Sequence, residues 1–482
     1  METVKIKDIY INNYKLSPTN YLKNKIVNTN LIEVGKYIDK IDKGSEIGSQ
    51  NYVEESNYLF LRTSAFDENY FSPKIDNNSL LKVIPYNYNE KNLKKGDILI
   101  CKDSNVGEVV ILTEDMPNTT FSAGINKLTF KNNSKLFFAL MKNNHFKEQL
   151  NSLIPKGATL KHAKDLYLKC KVPIVKNIND IEYIEKIVNI ILKKENEIKI
   201  KKKNLDDFIK EEIDRNQKNN KYCYQFPTIQ ELFSINRLDT GNYTETFKSI
   251  DFKIKNYKNG FFKIDKDNLK GGNTPKKRYI DKNDKLKYLW ITPTFISDIG
   301  ILNTENRIDC EKNNINEKCT LIINRTSKGG IGEYVGIATY YDYEKFGRAQ
   351  HNQGLYKVYN LNENILIFIT CMLNSEYYRK YCANLSMGSK MKEIKVNNIL
   401  DIPFPKFNKD DISFINNMYY NKKTKNIKEI NINNFEEEND KWNKKAGILD
   451  ISISLNKAKD VLNNTIDSLY EGKQIEKIYE IY

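Results

Sequence analysis

Two stretches of the sequence contain residue types that could act on phosphates. GGIGEYVG (Gly329–Gly336) is glycine-rich, and glycine-rich loops can hold phosphate groups with backbone N–H donors. However, it lies between two predicted strands, and a related stretch elsewhere in the chain, NVGEVV, has a single glycine. Asp97, Lys102 and Glu108 supply the carboxylates and the amine of a nuclease-like site, but their order along the chain does not fit that pattern. Neither stretch therefore predicts an active site.

Other signatures of catalysis or metal binding are missing from the sequence. It contains no GxxxxGK(S/T), GxSxG or HExxH motif, and no (N/D)PP(Y/F) motif of an adenine methyltransferase. His145, His162 and His351 have no acid at ligand spacing, and we expect His162 and His351 to lie in polar loops, exposed to solvent or to a ligand. With seven cysteines and no CxxC pair, free thiols are expected rather than a zinc site. We therefore predict a chain without catalytic residues and without a metal.

The size and charge of the chain limit the class of protein. Its 482 residues are too many for one compact core and predict two to three domains. The net charge of +15 suits a polyanionic partner, although a sequence biased towards Lys, Asn, Ile and Tyr explains that charge equally well. The N-terminus is charged and polar, and the longest apolar run, Ile365–Leu373, is shorter than the ~20 residues that span a bilayer. We expect a cytoplasmic protein with no membrane segment.

An internal repeat dominates the sequence. YLFLRTSAF (Tyr58–Phe66) matches YLWITPTF (Tyr288–Phe295), and DILICKDSNVGEVVIL (Asp97–Leu112) matches TLIINRTSKGGIGEYVGIA (Thr320–Ala338). Six such anchors occur in the same order in both halves, shifted by 225–231 residues. This alignment equates Gly107 with Gly332 and Asn126 with Asn352. The repeat predicts two copies of one domain in tandem.

The later anchors predict the elements that complete each copy. Leu136–Leu150 and Ile365–Tyr381 each read as one helix with an apolar first half. Pro155–Val175 and Met387–Pro405 each read as a turn followed by a short strand that ends near a proline. Short strands, Gly/Asn loops and one or two short helices predict an α+β fold. We expect each copy to be a mixed α/β domain with a curved, mostly antiparallel sheet.

A long helix is predicted between the copies. Residues 177–219 contain no Gly or Pro, and their apolar residues step by three, four or seven, which is typical of a coiled-coil seam interrupted by Lys194 and Lys201. A helix packed on its own domain is the alternative. The seam residues, which we expect to bind a partner helix, are Ile184, Ile187, Ile191, Ile198, Leu205 and Phe208.

The C-terminal region departs from the repeat. A helix is predicted from Asp411 to about Lys428, followed by an acidic loop at Asn431–Lys445 and a second amphipathic stretch. We expect the two C-terminal pieces to pack on the central helix. The apolar face of the second stretch comprises Leu455, Ala458, Val461, Leu462, Ile466 and Leu469. The predicted domains are 1–176, a spacer at 177–222, 223–407 and a helical region at 408–482.

Residues 14–428 resemble the specificity (S) subunit of type I restriction-modification systems. Each copy ends in a turn, a short strand and a proline, as KGATLKHAKDLYLKCKVPIV and MGSKMKEIKVNNILDIPFP, and a predicted helix follows each. The strand–loop–strand elements KKGDILICKDSNVGEVV and CTLIINRTSKGGIGEYV also fit, and INRLDTGNYTETF (Ile235–Phe247) resembles the lead-in to such a domain. The tail of about fifty residues departs from a typical member, which ends in a second long helix.

The resemblance implies a fold and a function. It implies two tandem target-recognition domains separated by coiled-coil-like helices, each reading one half of a split, asymmetric double-stranded DNA target. The helices would bind two methyltransferase (modification) subunits, and restriction/translocase subunits would complete the complex. S-adenosylmethionine would belong to the methyltransferase partner, and no cofactor to this chain. The alternatives are a non-catalytic scaffold that holds protein partners through duplicated domains, and an enzyme with an unrecognised site.

Polar loops that follow strands are the expected carriers of DNA contacts. Arginine is scarce in this lysine-rich chain, so Arg62, Arg325 and Arg348 are the most notable candidates. The predicted DNA-binding residues of the first copy are Arg62, Thr63, Ser64, Lys102, Asp103, Ser104, Asn105, Lys156, Thr159 and Lys161. Those of the second copy are Asn324, Arg325, Thr326, Ser327, Lys328, Arg348, Gln350, Asn352, Gln353, Ser389 and Lys390.

Overall fold

The chain forms two compact units. The computed structural model describes residues 28–86, 88–155, 162–235, 240–275, 280–281, 288–302, 306–309, 314–325, 334–388, 391–421 and 430–481. The first unit comprises Met1–Asn196, Asn426–Trp442 and Ser454–Tyr482, and the second comprises Glu197–Lys425 and Asn443–Ile453. The predicted spacer and the predicted C-terminal region are thus each shared between the units, and neither forms a segment of its own.

Nine strands form three sheets among the described residues of the first unit. They are β1 (Leu31–Glu33), β2 (Ile38–Lys43), β3 (Tyr58–Leu61), β4 (Leu80–Val83), β5 (Ile98–Cys101), β6 (Val109–Ile111), β7 (Thr119–Phe121), β8 (Ile125–Phe130) and β9 (Lys171–Pro173). The sheet orders are β2-β8-β5-β6, β4-β3-β7 and β1-β9. All described pairs are antiparallel except β3 with β7, which is parallel. The uninterrupted apolar sequences of β5 and β6 agree with their complete burial.

The predicted helix at Leu136–Leu150 is two helices, α1 (Ser134–Lys142) and α2 (Asn144–Leu153). Asn143 separates them in an extended conformation, and its side chain accepts a hydrogen bond from the backbone N–H of His145. Asparagine is a favoured N-cap residue because its side chain satisfies one of the free N–H groups at a helix start. The apolar pattern continues across this break, so periodicity alone did not reveal it.

The long helix between the copies is confirmed as α3 (Ile178–Arg215). Its seam residues Ile184, Ile187 and Ile191 are fully buried in the first unit, while Ile198 and Leu205 are buried in the second. Also in the second unit, the ring of Phe208 lies 4.6 Å from that of Phe414. Residues of the chain itself therefore cover the seam. This agrees with the alternative prediction, in which the helix packs on its own domain and not on a partner helix.

Thirteen strands form four sheets among the described residues of the second unit. They are β10 (Phe261–Phe262), β11 (Leu269–Gly271), β12 (Ile280–Asp281), β13 (Tyr288–Ile291), β14 (Ile296–Ser297), β15 (Gly300–Ile301), β16 (Arg307–Ile308), β17 (Asn314–Ile315), β18 (Cys319–Ile323), β19 (Ala338–Tyr341), β20 (Ala349–His351), β21 (Leu355–Val358) and β22 (Phe404–Pro405). The orders are β11-β21-β18-β19, β12-β16-β13-β20-β17, β10-β22 and β14-β15. β13 and β20 are parallel.

The second unit repeats the broken helix of the first. The predicted helix at Ile365–Tyr381 is divided at Ser375. The helix predicted from Asp411 ends at Tyr419, and residues 422–428 of that prediction lie outside the described residues. The helices are α4 (Ile229–Ile235), α5 (Glu245–Lys255), α6 (Tyr343–Phe346), α7 (Glu363–Asn374), α8 (Glu376–Leu385), α9 (Val396–Leu400) and α10 (Lys409–Tyr419).

The C-terminal region contains α11 (Phe435–Lys445) and α12 (Ile448–Tyr470). The prediction of a loop at Asn431–Lys445 is wrong. Glutamates in the first turn of α11 and lysines in its last turn complement the helix dipole, so the acidic run favours a helix start. The predicted second amphipathic helix is confirmed, and Leu455, Ala458 and Ile466 are buried.

In the first unit, C-terminal residues pack on α3 as predicted. The ammonium of Lys193 lies 2.7 Å from a carboxylate oxygen of Asp440, and the amide of Asn189 donates to Glu436 over 2.8 Å. The carboxylate of Glu195 accepts hydrogen bonds from the backbone N–H groups of residues 71 and 72 and forms an ion pair with Lys459. The middle of α3 is therefore held by the C-terminal helices and by a loop of the first copy.

The strand orders confirm the internal repeat. β2-β8-β5-β6 of the first unit corresponds to β11-β21-β18-β19 of the second, with the same antiparallel pairing. β4-β3-β7 corresponds to β16-β13-β20, including the parallel pair. β1-β9 corresponds to β10-β22. The α+β fold class and the two tandem copies are thus both present, and each copy is mostly antiparallel.

The structure corrects the alignment of the repeat in one loop. Gly107 and Gly336 both have φ of +87°. The N–H of Gly107 donates to Cys101 and that of Gly336 to Ile323, and these acceptors end the corresponding strands β5 and β18. Gly107 therefore corresponds to Gly336, whereas the sequence alignment chose a glycine that lies outside the described residues. The cause is a longer loop in the second copy.

The pairing of Asn126 with Asn352 in the sequence alignment is also wrong. Asn126 lies opposite Ile100 of β5, and the residue in that register in the second copy is Tyr356, opposite Ile322 of β18. Asn352 follows β20 instead. No helix within the described part of the chain is both long and apolar enough to cross a membrane.

Candidate nucleic-acid interface

Three loops meet at one edge of the first unit. They follow β3, β5 and β7 and comprise residues 62–64, 102–105 and 122–124. The carboxyl ends of the parallel strands β3 and β7 lie side by side, and the N–H of Ser122 donates to the carbonyl of Leu61 over 2.9 Å. The N–H of Lys102 donates to Gly124, and its carbonyl accepts from Ala163, both over 2.8 Å. We call these loops, with His162 and Ala163, the first junction.

The second unit has a junction with the same backbone connections. It comprises residues 292–294, 324–325 and 352–354, with Glu393 and Ile394. The N–H of Asn352 donates to the carbonyl of Ile291 over 2.9 Å, which joins the ends of the parallel strands β13 and β20. The N–H of Asn324 donates to Gly354 over 3.0 Å, and its carbonyl accepts from Ile394 over 2.8 Å. Each hydrogen bond has its counterpart in the first junction.

Glycines allow the loops to approach each other this closely. A Cβ atom at Gly44 would lie 1.9 Å from the carbonyl oxygen of Ser122, and one at Gly272 would lie 2.0 Å from that of Asn352. Gly44 follows β2 and Gly272 follows β11, so the two glycines occupy corresponding positions. Only a residue without a Cβ atom fits there, because real Cβ atoms do not approach oxygen so closely.

The structure brings all the described candidates of the first copy together. Arg62 and Ser64 are exposed, and both donate to the carbonyl of Asn78. Asn105 donates to the carbonyl of Phe66 over 2.7 Å, so its amide also supports the loop. All seven candidates at 62–64 and 102–105 lie at the first junction, while Lys156, Thr159 and Lys161 lie outside the described residues.

The candidates of the second copy are more scattered. Asn324, Arg325, Asn352 and Gln353 lie at the second junction, and of these Arg325 and Asn352 are half-buried and Gln353 is exposed. Arg348 is exposed but precedes β20, so it lies at the opposite edge of the parallel pair. The remaining candidates, Thr326, Ser327, Lys328, Ser389 and Lys390, lie outside the described residues.

Two candidates of the second copy are buried. Asn324 donates from its side-chain amide to the carbonyl of Gln353, and Gln350 donates to the carbonyl of Asn273. Their side chains are 2% and 1% exposed, respectively. Gln350 lies inside β20, where the short strand was not recognised from the sequence. In this structure neither side chain is placed to meet a DNA base, so we exclude both from the proposed contact surface.

Each junction contains a partly exposed pair of polar side chains at the same place. In the first junction, Nδ1 of His162 lies 2.8 Å from Oδ1 of Asp103. In the second, a guanidinium nitrogen of Arg325 lies 2.9 Å from Oε1 of Glu393. In both cases the two residues also form an antiparallel β-bridge. In the first unit the acidic residue, Asp103, lies on the loop after β5. In the second unit the acidic residue, Glu393, lies on the segment opposite the loop after β18.

Several junction residues were missed at the sequence level. Thr292 and Thr294 follow β13 as Arg62 and Ser64 follow β3, and their hydroxyls share a hydrogen bond of 2.7 Å. The match between YLFLRTSAF and YLWITPTF would have identified them, since both strands run into the same turn. Glu393 has no such signal, because its role depends on a contact between distant segments.

The carboxylates of the nuclease-like pattern do not form a site. Asp97 forms an ion pair with Lys127 over 2.9 Å, whereas Glu108 is paired with Lys142 over 3.0 Å and with Lys147. Burial by itself raises the pKa of Glu108, but the two lysines outweigh it and lower the pKa below the ordinary value. These acids therefore serve two separate structural ion pairs.

The histidines and cysteines differ in their exposure to solvent. His351 ends β20 and is fully buried, so the expectation of an exposed loop residue is wrong there. Burial lowers the pKa of His351 to about 4. His162 is exposed, as expected, and Cys223 is an exposed free thiol. Within the described ranges, no three His, Cys, Asp or Glu side chains are grouped to hold a metal ion.

Comparisons with known proteins give structural likenesses only. No protein-family model and no curated protein sequence matches the chain. The chain is similar to the crystal structure of a type I restriction-modification S subunit from M. genitalium, with 13% identity, a TM-score of 0.38 and coverage of 93% of this chain and 96% of that one. It is also similar to the HsdS subunit from Thermoanaerobacter tengcongensis, with 10% identity, a TM-score of 0.29 and coverage of 92% and 97%.

A third similar structure is described as the basis of complex assembly and conformational transition of the type I R-M system. It has 9% identity, a TM-score of 0.28 and coverage of 92% of this chain and 98% of that one. These likenesses extend over nearly the whole of each chain.

Proposed function

We infer that the chain is the DNA sequence-specificity subunit of a type I restriction-modification complex. Each unit reads one half of a split, asymmetric double-stranded DNA target in the cytoplasm. The chain carries no catalytic group of its own in this proposal. A methyltransferase partner binds S-adenosylmethionine and transfers the methyl group.

One observation carries this proposal: the two units have the same loop junction but present different side chains there. A scaffold that held two copies of one partner would need two similar surfaces. A reader of two different half-sites needs one backbone frame with two sets of hydrogen-bonding groups, because base edges are distinguished by their donors and acceptors. The residues at the junctions are polar, and arginine, asparagine, threonine and serine are common in contacts to bases and phosphates.

The charge of the chain agrees with a nucleic-acid partner. The 77 basic residues exceed the 62 acidic residues. At the first junction, Arg62 is exposed and Lys102 is half-buried. Neutralising phosphates with such side chains releases counterions, which favours binding to DNA over binding to an uncharged protein surface.

The central helix is the proposed docking element for two methyltransferase subunits, with restriction/translocase subunits as further members of the complex. The six seam residues predicted to bind the partner are occupied within the chain, five of them buried and Phe208 packed on Phe414. We therefore propose that the partner subunits dock on those parts of α3 that the chain's own residues leave exposed.

A salt titration tests the DNA-binding part of the proposal. We expect the double variant Arg62→Gln/Lys102→Gln to bind random-sequence duplex DNA several-fold more weakly. The slope of log Kd against log salt concentration should fall by about two, because each lost phosphate contact removes about 0.9 from the slope. Fluorescence anisotropy of a labelled duplex at several salt concentrations measures both quantities.

The matched control removes two positive charges from the sheet β2-β8-β5-β6, at the end opposite to Lys102. Lys36 precedes β2 and Lys131 follows β8, and both are exposed. Because these strand ends lie away from the junction, Lys36→Gln/Lys131→Gln should leave the slope nearly unchanged. Equal slopes for the two double variants would exclude the first junction as the DNA contact.

A further inference from the structure

The partly exposed side-chain pairs at the two junctions have charges of opposite sign at equivalent positions. Asp103 is the second residue after β5, and Arg325 is the second residue after β18. Each forms a β-bridge to a segment that follows the helices of its copy, where it meets His162 or Glu393. One backbone position therefore presents a carboxylate in the first unit and a guanidinium in the second.

These pairs are not required to hold the loops in place. Backbone hydrogen bonds from Ala163 to Lys102 and from Ile394 to Asn324 join the same segments in both units. The side chains of Asp103 and His162 are 30% and 52% exposed, and polar contacts between side chains as exposed as these contribute little to stability. The stability of the loops therefore does not explain why the two copies carry side chains of opposite charge at this position.

Each pair leaves hydrogen-bonding groups available to a ligand. Oδ1 of Asp103 is bonded to His162, whereas Oδ2 has no hydrogen bond to any residue in the described part of the chain. Arg325 uses one guanidinium nitrogen for Glu393, and arginine has five N–H donors in a rigid fork. The first unit thus offers a fixed acceptor, and the second offers a fixed set of donors.

We propose that Asp103 and Arg325, held by His162 and Glu393, determine which base edge each unit prefers in the major groove. Asp103 accepts a hydrogen bond from an exocyclic amino group, which is N4 of cytosine or N6 of adenine. Arg325 donates to N7 and O6 of guanine. This inference rests on the proposed function and adds the residues that make the two half-sites different.

The test compares the sequences that full-length variants select. The wild-type chain, Arg325→Gln and Asp103→Asn are each mixed with a library of random-sequence duplexes, and the bound fraction is sequenced. Arg325→Gln should reduce the preference for guanine at one position of one half-site by about tenfold to a hundredfold, the discrimination expected of one bidentate contact. Asp103→Asn should alter one position of the other half-site, and the base lost there distinguishes cytosine from adenine.

Two further variants separate recognition from folding and from overall charge. Arg325→Lys keeps the positive charge but loses the fork, so the guanine preference should fall while total binding to DNA is retained. Lys255→Gln removes a charge from an exposed ion pair with Asp251 on α5, away from the junction residues, and should change neither half-site.

The outcomes distinguish this inference from the proposed function. If wild-type protein selects a split motif and the variants at Asp103 and Arg325 select the same motif, the inference is overturned and the proposed function stands. If either variant loses its sequence preference equally at both half-sites, the inference is also overturned. Such a loss would indicate that the residue has a structural role. If wild-type protein selects no sequence, both are overturned.

Discussion

Replacing Gly272 with alanine should disrupt the second junction. The new Cβ atom would lie 2.0 Å from the carbonyl oxygen and 2.6 Å from the carbonyl carbon of Asn352. Backbone atoms cannot move aside as a flexible side chain can, so the loop after β20 must shift. We expect the free energy of unfolding to fall by on the order of 3 kcal/mol. Urea unfolding of the full-length chain measures this loss.

The neighbouring glycine provides the control. A Cβ atom at Gly271 would meet nothing within 4 Å, and Gly271 does not have a positive φ. Gly271→Ala should therefore change stability little. Gly44→Ala tests the same contact in the first unit, where the new atom would lie 1.9 Å from the carbonyl oxygen of Ser122. If Gly272→Ala were as stable as Gly271→Ala, the close approach of the two loops described here would be incorrect.

Replacing Lys194 with methionine should stabilise the first unit. Lys194 is fully buried on α3, with its ammonium 4.6 Å from the centre of the Trp442 ring. Burial lowers its pKa from 10.5 to about 7, so keeping the charge inside the protein is costly near neutral pH. Methionine has a similar volume and no charge. We expect the free energy of unfolding to rise by on the order of 3 kcal/mol at pH 6.5, after allowing for the lost cation–π contact.

The pH dependence of this gain has a defined sign. Between pH 7 and 10.5 the unfolded chain binds a proton at Lys194 that the folded chain does not, so wild-type stability rises with pH across that window. The advantage of Lys194→Met should therefore be largest below about pH 7 and shrink towards pH 10. Lys203 is exposed on the same helix, and Lys203→Met should show no such trend. A gain that is independent of pH would contradict a depressed lysine pKa.

The sequence was sufficient to predict the repeat, the α+β class and the long helix. These features depend on the order of strands and loops and on helical periodicity, which survive even where side chains differ. Local predictions failed where loop lengths differ between the copies, where an apolar pattern crosses a helix break, and where an acidic run begins a helix. The longer loop before Gly336 shifted one alignment, and the apolar pattern continued across the break at Asn143. The acidic start of α11 was interpreted as a loop, although acids favour a helix N-terminus.

The candidate site was predictable in part. Residues that directly follow β3 and β5 were identified because polar residues after apolar strands mark loop ends. The burial of Gln350 was not predictable, since the short strand β20 has no apolar pattern of its own. Nor was the contact between Arg325 and Glu393, because a bridge between distant segments depends on tertiary packing.

Sequencing of modified DNA tests the central claim most directly. The chain would be co-expressed with its genomic neighbours in a host without DNA methylation, and modified adenines would be located with and without this protein. The proposed function predicts a split, asymmetric motif that is methylated only when the chain is present. Methylation that is absent, or unchanged when the chain is removed, would contradict the specificity role and favour a scaffold that holds protein partners.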